Sequence, residues 1–240
     1  MRKLVFIELL KLKRTKIVLI SFLTVFLIAI LSLFQGWRMI SLGFEIENKS
    51  IFFLEQLLFW NSYYALPAVL VLIGSFSISR EKQEGTMNQI LTIPVNFLSF
   101  ILSKLITVVI FSLILSLSIL ILGLINQFII FEGIELTPEL LVLIGQYLLN
   151  ALLISVCVFP IICYTIFLKK DYIILVAVAE IYSFLSVFLN NTPFRVFYPI
   201  SAEMGLIGIT SFTIMERFIA LISIMFCILA TFFFVEKMET

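Results

Sequence analysis

The residue types that most often do chemistry in proteins are scarce in this sequence. Its 240 residues include no histidine, the commonest general base near neutral pH and the commonest metal ligand. Three cysteines, Cys157, Cys163 and Cys227, fall inside apolar stretches, without the paired spacing of a zinc site or a disulfide framework. We interpret them as small apolar residues, and we predict a chain that catalyses no reaction itself.

Polar side chains within the apolar stretches are the next candidates for a function. Glu180 lies nine residues after Asp171, which is about 13 Å along a helix. An ionisable group at that depth usually faces a bundle interior or a watery cavity. We expect Glu180 to line a substrate path, attracting a cationic group or pairing across a dimer; a protonated structural glutamate is the alternative. Asn150 and Gln146 are further path candidates, although hydrogen bonding between helices is the stronger interpretation for them.

The stretch "SREKQEGTMNQILTIPV", residues 79 to 95, is a long polar interruption in an apolar chain. A helix beginning near Arg80 would place Arg80 and Glu84 one turn apart, and Pro94 would end it. A short amphipathic helix of this kind offers a surface that a soluble partner could bind. A plain solvated loop is the alternative interpretation.

Composition places most of the chain in a lipid bilayer. Hydrophobic residues make up 62% and charged residues 13%, whereas about a quarter of residues are charged in soluble domains. A net charge of +1 argues against a nucleic-acid partner. A membrane span needs about 20 apolar residues and must be helical. The sequence predicts an all-α single domain, 1–240, with six spans at about 17–36, 57–78, 101–126, 140–168, 172–190 and 215–235.

The basic residues predict that both termini are cytoplasmic. Of the 16 lysines and arginines, all but Arg38, Lys49, Arg195 and Arg217 then fall on the inside, as the positive-inside rule requires. Residues 1–16 are predicted to form a short interfacial helix with Glu8 and the basic residues on one side and apolar residues on the other; a basic tail is the alternative. The loop between spans five and six is expected to form short helices at the outer face.

The polar stretch resembles the signature of type 2 ABC exporter permeases. In that signature a Glu-rich start is followed by Gly-Thr, a leucine and a proline, and a lysine begins the next membrane helix. Six spans, termini inside and a helical outer loop are similar to that family's membrane domain over nearly the whole chain. The matching residues here, which the resemblance implies couple to an ATPase, are Arg80, Glu81, Glu84, Gly85, Thr86, Leu91, Pro94 and Lys104.

The resemblance implies that residues 80–94 form a coupling helix seated in a separate ATP-binding subunit. No G-x-x-x-x-G-K-[ST] loop occurs in this chain, so it has no phosphate-cradling loop of its own. We therefore expect no cofactor on this chain and ATP with Mg²⁺ on the partner. A second permease copy, or a similar permease, completes the expected assembly in a bacterial plasma membrane.

Short loops make the chain resemble the permeases of lantibiotic immunity and bacitracin-type resistance. This similarity implies export of an amphipathic substrate, with a peptide antibiotic favoured over lipid-like molecules. Three alternatives stay open: a stand-alone immunity protein, a substrate-capture subunit of a vitamin importer, and an intramembrane metalloprotease. The last is disfavoured because carboxylates alone are a poor ligand set for zinc.

Overall fold

The computed structural model describes residues 1–13, 15–46, 48–85, 97–131, 133, 137–168 and 172–237. These residues form α-helices with one π-helical and one 3₁₀ turn, and no strand occurs among them, as the all-α prediction requires. The elements are α1 (Arg2–Lys13), α2 (Lys16–Ser41), α3 (Phe52–Trp60), a π-turn (Asn61–Ala65), α4 (Leu66–Gln83), α5 (Phe97–Phe131), α6 (Pro138–Tyr164), α7 (Ile173–Leu189), a 3₁₀ turn (Pro193–Val196), α8 (Pro199–Leu206) and α9 (Ile214–Glu236).

Within the described residues, five helical segments are long and apolar enough to cross a membrane. They are α2, the continuous rod of α3, π-turn and α4, and then α5, α6 and α9. The predicted fifth span corresponds to α7, which is apolar but shorter, at 17 residues. The multi-pass character is therefore confirmed, whereas the number of six spans stays a prediction.

The rod Phe52–Gln83 lies at the centre of the bundle. Of its apolar stretch 72% is buried, against 28% in α2 and 28% in α9. The α4 helix packs closely on α6 at Gly74, where an added Cβ would lie 2.7 Å from Ile162 Cγ2. The rod packs against α2, α5, α6 and α7.

Local sequence signals set the ends of the later helices. The α6 helix begins after Thr137, whose hydroxyl accepts a hydrogen bond from the Leu140 amide at 3.3 Å. A capping box begins α9, in which the Thr213 amide donates to Glu216 Oε2 at 2.7 Å and the Glu216 amide donates to Thr213 Oγ1 at 3.3 Å. These caps satisfy amides that a helix start leaves without partners.

The segment between α7 and α9 confirms the prediction of short helices in this loop. Its 3₁₀ turn and α8 pack on α6, α7 and α9. The Tyr198 hydroxyl donates to the Tyr182 carbonyl at 2.6 Å, and Gln146 Nε2 donates to the Ile207 carbonyl at 3.0 Å. The α8 helix is thus docked into the bundle, where Ile200 and Met204 are fully buried.

Candidate functional site

The described members of the predicted coupling set lie where α1, the end of α4 and the start of α5 meet; they are Arg80, Glu81, Glu84, Gly85 and Lys104. Arg80 and Glu81 belong to the last turn of α4, because this helix continues to Gln83. The sequence suggested a separate helix that begins near Arg80. In the structure the helix of the central rod instead continues into the polar stretch, as far as Gln83. Thr86, Leu91 and Pro94 lie outside the described residues.

Four charged side chains, Glu8, Lys11, Glu81 and Lys104, form what we call the charged cluster. Lys104 Nζ lies 2.7 Å from Glu81 Oε2 and 3.1 Å from Glu8 Oε2. Lys11 Nζ lies 2.6 Å from Glu81 Oε1 and 3.5 Å from Glu8 Oε1. Two carboxylates thus face two ammonium groups, and the cluster joins α1, α4 and α5.

Most of the charged cluster is withdrawn from solvent. Lys104 is 1% exposed, and Glu8 and Glu81 are each 4% exposed. Ser77 contributes its hydroxyl, which donates to Glu8 Oε2 at 2.8 Å, while the Lys104 ammonium lies 4.7 Å from the centre of the Phe100 ring. Buried ions need such partners because each one loses several kcal/mol of hydration.

This arrangement stabilises the charged forms of Glu8 and Lys11 on α1. Burial by itself raises the pKa of Glu8, but the positive charges of Lys104 and Lys11 outweigh it and lower the pKa. Burial lowers the pKa of Lys11, but its hydrogen bond to Glu81 and the charge of Glu8 outweigh this and raise the pKa. Both groups are therefore charged across the neutral range.

The α1 helix departs at Glu8 from the orientation expected for a surface helix with its polar side in water. Glu8 and Leu12 face the bundle and are buried, while Phe6 and Leu10 are 62% and 49% exposed. The reason is Lys104, which is buried at the start of α5 and requires carboxylates. Glu8 therefore points inward, while Lys3 and Lys13 are exposed and part of the apolar side points away from the bundle.

Arg80 and Glu84 occupy the outward side of the same turn. Arg80 Nε donates to Glu84 Oε1 at 2.8 Å, with side chains 41% and 50% exposed. Gly85 follows with a φ of +68°, a left-handed conformation that ends helices and favours glycine. The predicted coupling residues therefore divide into an inward pair, Glu81 and Lys104, and an outward pair, Arg80 and Glu84.

Lys82, which the sequence analysis did not single out, adds a third helix to those attached to the end of α4. Its ammonium donates to the Ile166 carbonyl at 2.7 Å and to the Leu168 carbonyl at 2.6 Å, in the turn that follows α6. Cations favour the carbonyl-rich ends of helices. The end of α4 is consequently bound to α1, α5 and the end of α6.

The predicted substrate-path residues do not converge on one path. Asn150 is fully buried and donates from Nδ2 to Glu203 Oε1 at 3.0 Å. Gln146 bonds the loop after α8, as described above. Glu180 makes no hydrogen bond or ion pair with the part of the chain that the structure describes; it lines a shallow apolar depression with Ile181 and Phe184. Asn150 and Gln146 therefore have structural contacts, and Glu180 alone faces outward.

Two serines of α5, Ser112 and Ser116, lie one turn apart, a spacing that suits hydrogen bonding between helices. The Ser112 hydroxyl donates to the Ala151 carbonyl at 2.7 Å, and the Ser116 hydroxyl donates to the Tyr147 carbonyl at 2.9 Å. Both bonds join α5 to α6.

Sequence reasoning missed two features of the opposite half of the molecule. The first is Glu203, on α8, whose carboxyl is fully buried. Its position after Pro199 in a mixed apolar loop offered no sign of burial. The second is a cavity of about 700 Å³ between α6, α7, α8 and α9, lined largely by apolar side chains such as Pro160, Val178 and Ile222. A cavity of this size and composition suits a hydrophobic ligand.

No group of three or more His, Cys, Asp or Glu side chains able to hold a metal ion occurs among the described residues. The α1 end instead provides a rigid link between helices. Fold and site together define a multi-pass membrane protein whose polar groups at that end connect helices to one another.

Comparison with known proteins identifies the class further. Residues 4–186 match the family described as "ABC-2 family transporter protein", and the chain belongs to this family of transporter permeases. It is 32% identical over 134 residues to the bacitracin transport permease protein BCRB of Bacillus licheniformis, a match covering 54% of this chain and 62% of that relative. The match thus spans less than two thirds of the relative. No solved structure matches the chain.

Proposed function

We propose that this chain is the permease subunit of an ATP-driven exporter that moves an amphipathic substrate out of the membrane. The favoured substrate is an antimicrobial peptide, expelled for resistance or self-immunity; lipid-like amphipaths come second. The family supports transport, and the similarity to the bacitracin transport permease supports a peptide antibiotic. The apolar cavity between α6, α7, α8 and α9 supports a substrate with an apolar part.

The observation that carries the proposal is the attachment of the end of α4. Through Glu81 it joins Lys11 on α1 and Lys104 on α5, and through Lys82 it joins the end of α6. An ATPase that binds the segment after Gly85 and pushes on it would move four helices together. Such rigid-body motion is how a local event is converted into a change of access.

The transport cycle then assigns separate tasks to separate chains. ATP and Mg²⁺ belong to two ATP-binding subunits, since the sequence has no phosphate-cradling loop. Closure of those subunits favours one access state of the permease. The size of this preference is set by how much more tightly the ATP-binding subunits bind ATP in that state. This permease binds no nucleotide and acts as the moving part in a bacterial plasma membrane.

The proposed orientation places the charged cluster and both termini in the cytoplasm. The positive-inside count supports it, and α7 then serves as the short span in a bundle of six. Local bilayer thinning and snorkelling of flanking residues accommodate a 17-residue apolar helix.

A second permease copy completes the proposed assembly, and Glu180 is the residue that best indicates a contact with it. Ile181 and Phe184, beside Glu180 on α7, are 70% and 50% exposed. A carboxyl on an apolar membrane face is costly unless a neighbour or watery path receives it. Glu180 therefore either attracts a cationic part of the substrate or pairs with a polar group of the second copy.

The test is affinity capture from native membranes with a tagged chain. Wild type is compared with the Arg80→Ala, Glu84→Ala double variant, which removes the outward pair and leaves the charged cluster intact. Wild type should capture an ATP-binding subunit and ATP hydrolysis, and the double variant should lose both. Arg217→Ala is the matched control, because Arg217 is also an exposed cation and lies on the opposite, outer side in the proposed orientation.

Each outcome distinguishes the proposal from its rivals. Capture that survives in the double variant moves the contact away from the outward pair. Failure of wild type to capture any ATPase under mild conditions favours a stand-alone immunity protein. A tight complex with a small vitamin in detergent would instead indicate an importer's capture subunit. A Glu180→Gln variant with full transport and resistance would exclude an electrostatic role for Glu180.

A further inference from the structure

The buried glutamate of α8, Glu203, lies in a small polar pocket built by three elements. Asn150 Nδ2, from α6, bridges Glu203 Oε1 at 3.0 Å and Ser62 Oγ, in the π-turn, at 2.5 Å. Tyr63, the next residue of the π-turn, is close enough to interact electrostatically with Glu203. Irregular turns of this kind within long helices often mark functional sites.

No cation compensates the Glu203 carboxyl in the described part of the chain. The titratable groups that face it are the Tyr63 phenol and, from α6, the Cys157 thiol. Tyr182 of α7 and Cys227 of α9 adjoin Cys157 in turn. Charged groups on neighbouring elements are engaged elsewhere or exposed. Arg195 of the 3₁₀ turn pairs with Glu216 of α9 at 3.0 Å, Arg217 of α9 is exposed, and Glu180 of α7 faces outward.

The pocket also contains more acceptor capacity than it satisfies. Asn150 Oδ1 and Glu203 Oε2 are buried acceptors without a hydrogen-bond partner among the described residues, and the Tyr63 hydroxyl and both polar atoms of the Asn61 side chain are unpartnered as well. An ionised carboxylate supplies only further acceptors, whereas a protonated carboxyl supplies an O–H donor. An unpaired buried charge is also strongly unfavourable. Burial raises the pKa of Glu203 to about 8, although its bond to Asn150 opposes the shift.

We propose that Glu203 is a proton-binding site: the docked position of α8 holds its carboxyl in the protonated form, and the proton leaves when α8 separates from α6. The released carboxylate then meets water instead of the apolar interior. Separation of α8 is consequently easier at alkaline pH, and the docked arrangement is favoured at acidic pH.

Infrared spectroscopy of the purified chain in detergent measures the proton directly. A protonated carboxyl absorbs as a carbonyl stretch that a carboxylate lacks. This band should be present in wild type at neutral pH, disappear with a midpoint near the pKa of about 8, and be absent from Glu203→Gln. Glu180→Gln is the matched control, since it removes a half-buried carboxyl of α7 and should leave the Glu203 band in place.

Thermal unfolding in detergent provides the second readout. Because the carboxyl has a raised pKa in the folded state, wild type should lose several degrees of Tm between about pH 5 and about pH 9. Glu203→Gln, which is neutral throughout, should lose less and should exceed wild type at the alkaline end. If this variant does not fold, the infrared titration of wild type against Glu180→Gln decides alone.

Two results would overturn the proposal. One is a wild-type chain without the protonated band at neutral pH, or with a band whose intensity Glu203→Gln leaves undiminished. The other is a Tm at about pH 9 that Na⁺ raises relative to choline in wild type but not in Glu203→Gln, since the carboxylate would then hold a metal cation. Neither measurement needs an ATPase or a transported substrate, so failure of the proposed export function would leave this result unchanged.

Discussion

Buried glutamates occur in both halves of this molecule, and the two halves hold them in opposite ways. At the α1 end, Glu8 and Glu81 face Lys104 at 3.1 and 2.7 Å. At the other end, Glu203 faces an amide, hydroxyls and a thiol. The first pair can stay ionised because cations replace the lost hydration, while Glu203 is stable only when neutral. The same residue type thus serves as a mechanical link in one region and as a proton site in the other.

The charged cluster and Glu203 also differ in how they respond to pH. Removing one member of the charged cluster leaves an uncompensated buried ion, so the cluster has one stable arrangement. Glu203 has two, protonated and docked or ionised and hydrated, and pH selects between them. A transporter needs both properties, one where force is applied and the other where helices separate.

The largest effect is expected from Lys104→Ala. This variant leaves Glu8 and Glu81 buried with Lys11 as their shared cation, and we expect a loss of about 3–5 kcal/mol in the free energy of unfolding. Unfolding in mixed detergent micelles would measure it. A Lys104→Met, Glu8→Gln, Glu81→Gln triple variant, which removes the buried charges together, should recover much of the loss.

Recovery in the triple variant is the critical control. If the triple variant is as unstable as Lys104→Ala, then packing of the lysine side chain, rather than charge compensation, holds α1 and α5 together, and the contrast with Glu203 fails.

The two regions should contribute to stability in different pH ranges. The pKa of Glu8 is lowered by Lys104 and Lys11, so its contribution to stability is present above its ordinary value of 4.5 and is lost as the pH falls further. The raised pKa of Lys11 preserves its contribution until the pH exceeds 10.5. Glu203 acts between these limits, because its contribution to stability decreases as the pH rises from about 4.5 to about 8.

Unfolding of Glu8→Gln and Glu203→Gln across this range would separate the contributions. Glu8→Gln should flatten the acid side of the stability profile, and Glu203→Gln the alkaline side. Identical profiles for both variants and wild type would mean that neither carboxyl titrates on unfolding.

Much of this fold could be predicted from the sequence, because apolar length alone identifies helices in a membrane. The segments α2, α5, α6 and α9 follow the predicted spans, and the serine bonds of α5 follow from polar residues one turn apart. The permease signature also pointed to Glu81 and Lys104, whose coupling role stays a prediction. Its residue types could not show that these two face inward while Arg80 and Glu84 face outward.

The remaining features depend on contacts between distant residues. Lys104 and Glu8 are separated by 96 positions, so the amphipathic pattern of α1 alone suggested that Glu8 would face water. Asn150 and Glu203 are separated by 53 positions, and no periodic pattern in an eight-residue helix indicates which side chain will be enclosed. Burial of polar groups is decided by tertiary pairing, which single-sequence periodicity does not contain.

A smaller effect is expected at Gly85, which ends α4 next to the charged cluster. Its φ of +68° is a conformation that costs an L-residue about 1–2 kcal/mol, although an added Cβ would meet open space. Gly85→Ala should therefore destabilise the protein by about that amount. Gly145→Ala is the control, because Gly145 lies within α6 with equal room and a helical alanine is favoured over glycine. Equal effects at both positions would exclude the backbone conformation as the cause.

The smallest effect on stability is expected from Arg80→Ala. The Arg80–Glu84 pair spans one exposed helical turn, and such pairs contribute about 0.3–0.5 kcal/mol. Unfolding of Arg80→Ala should be close to that of wild type, in contrast to Lys104→Ala one helix away. Because the same charge is proposed to contact the ATPase, capture of the partner should fall while stability is preserved. A variant that loses stability and capture together would instead show that the outward pair is part of the bundle's own structure, and the division into inward and outward charges would not hold.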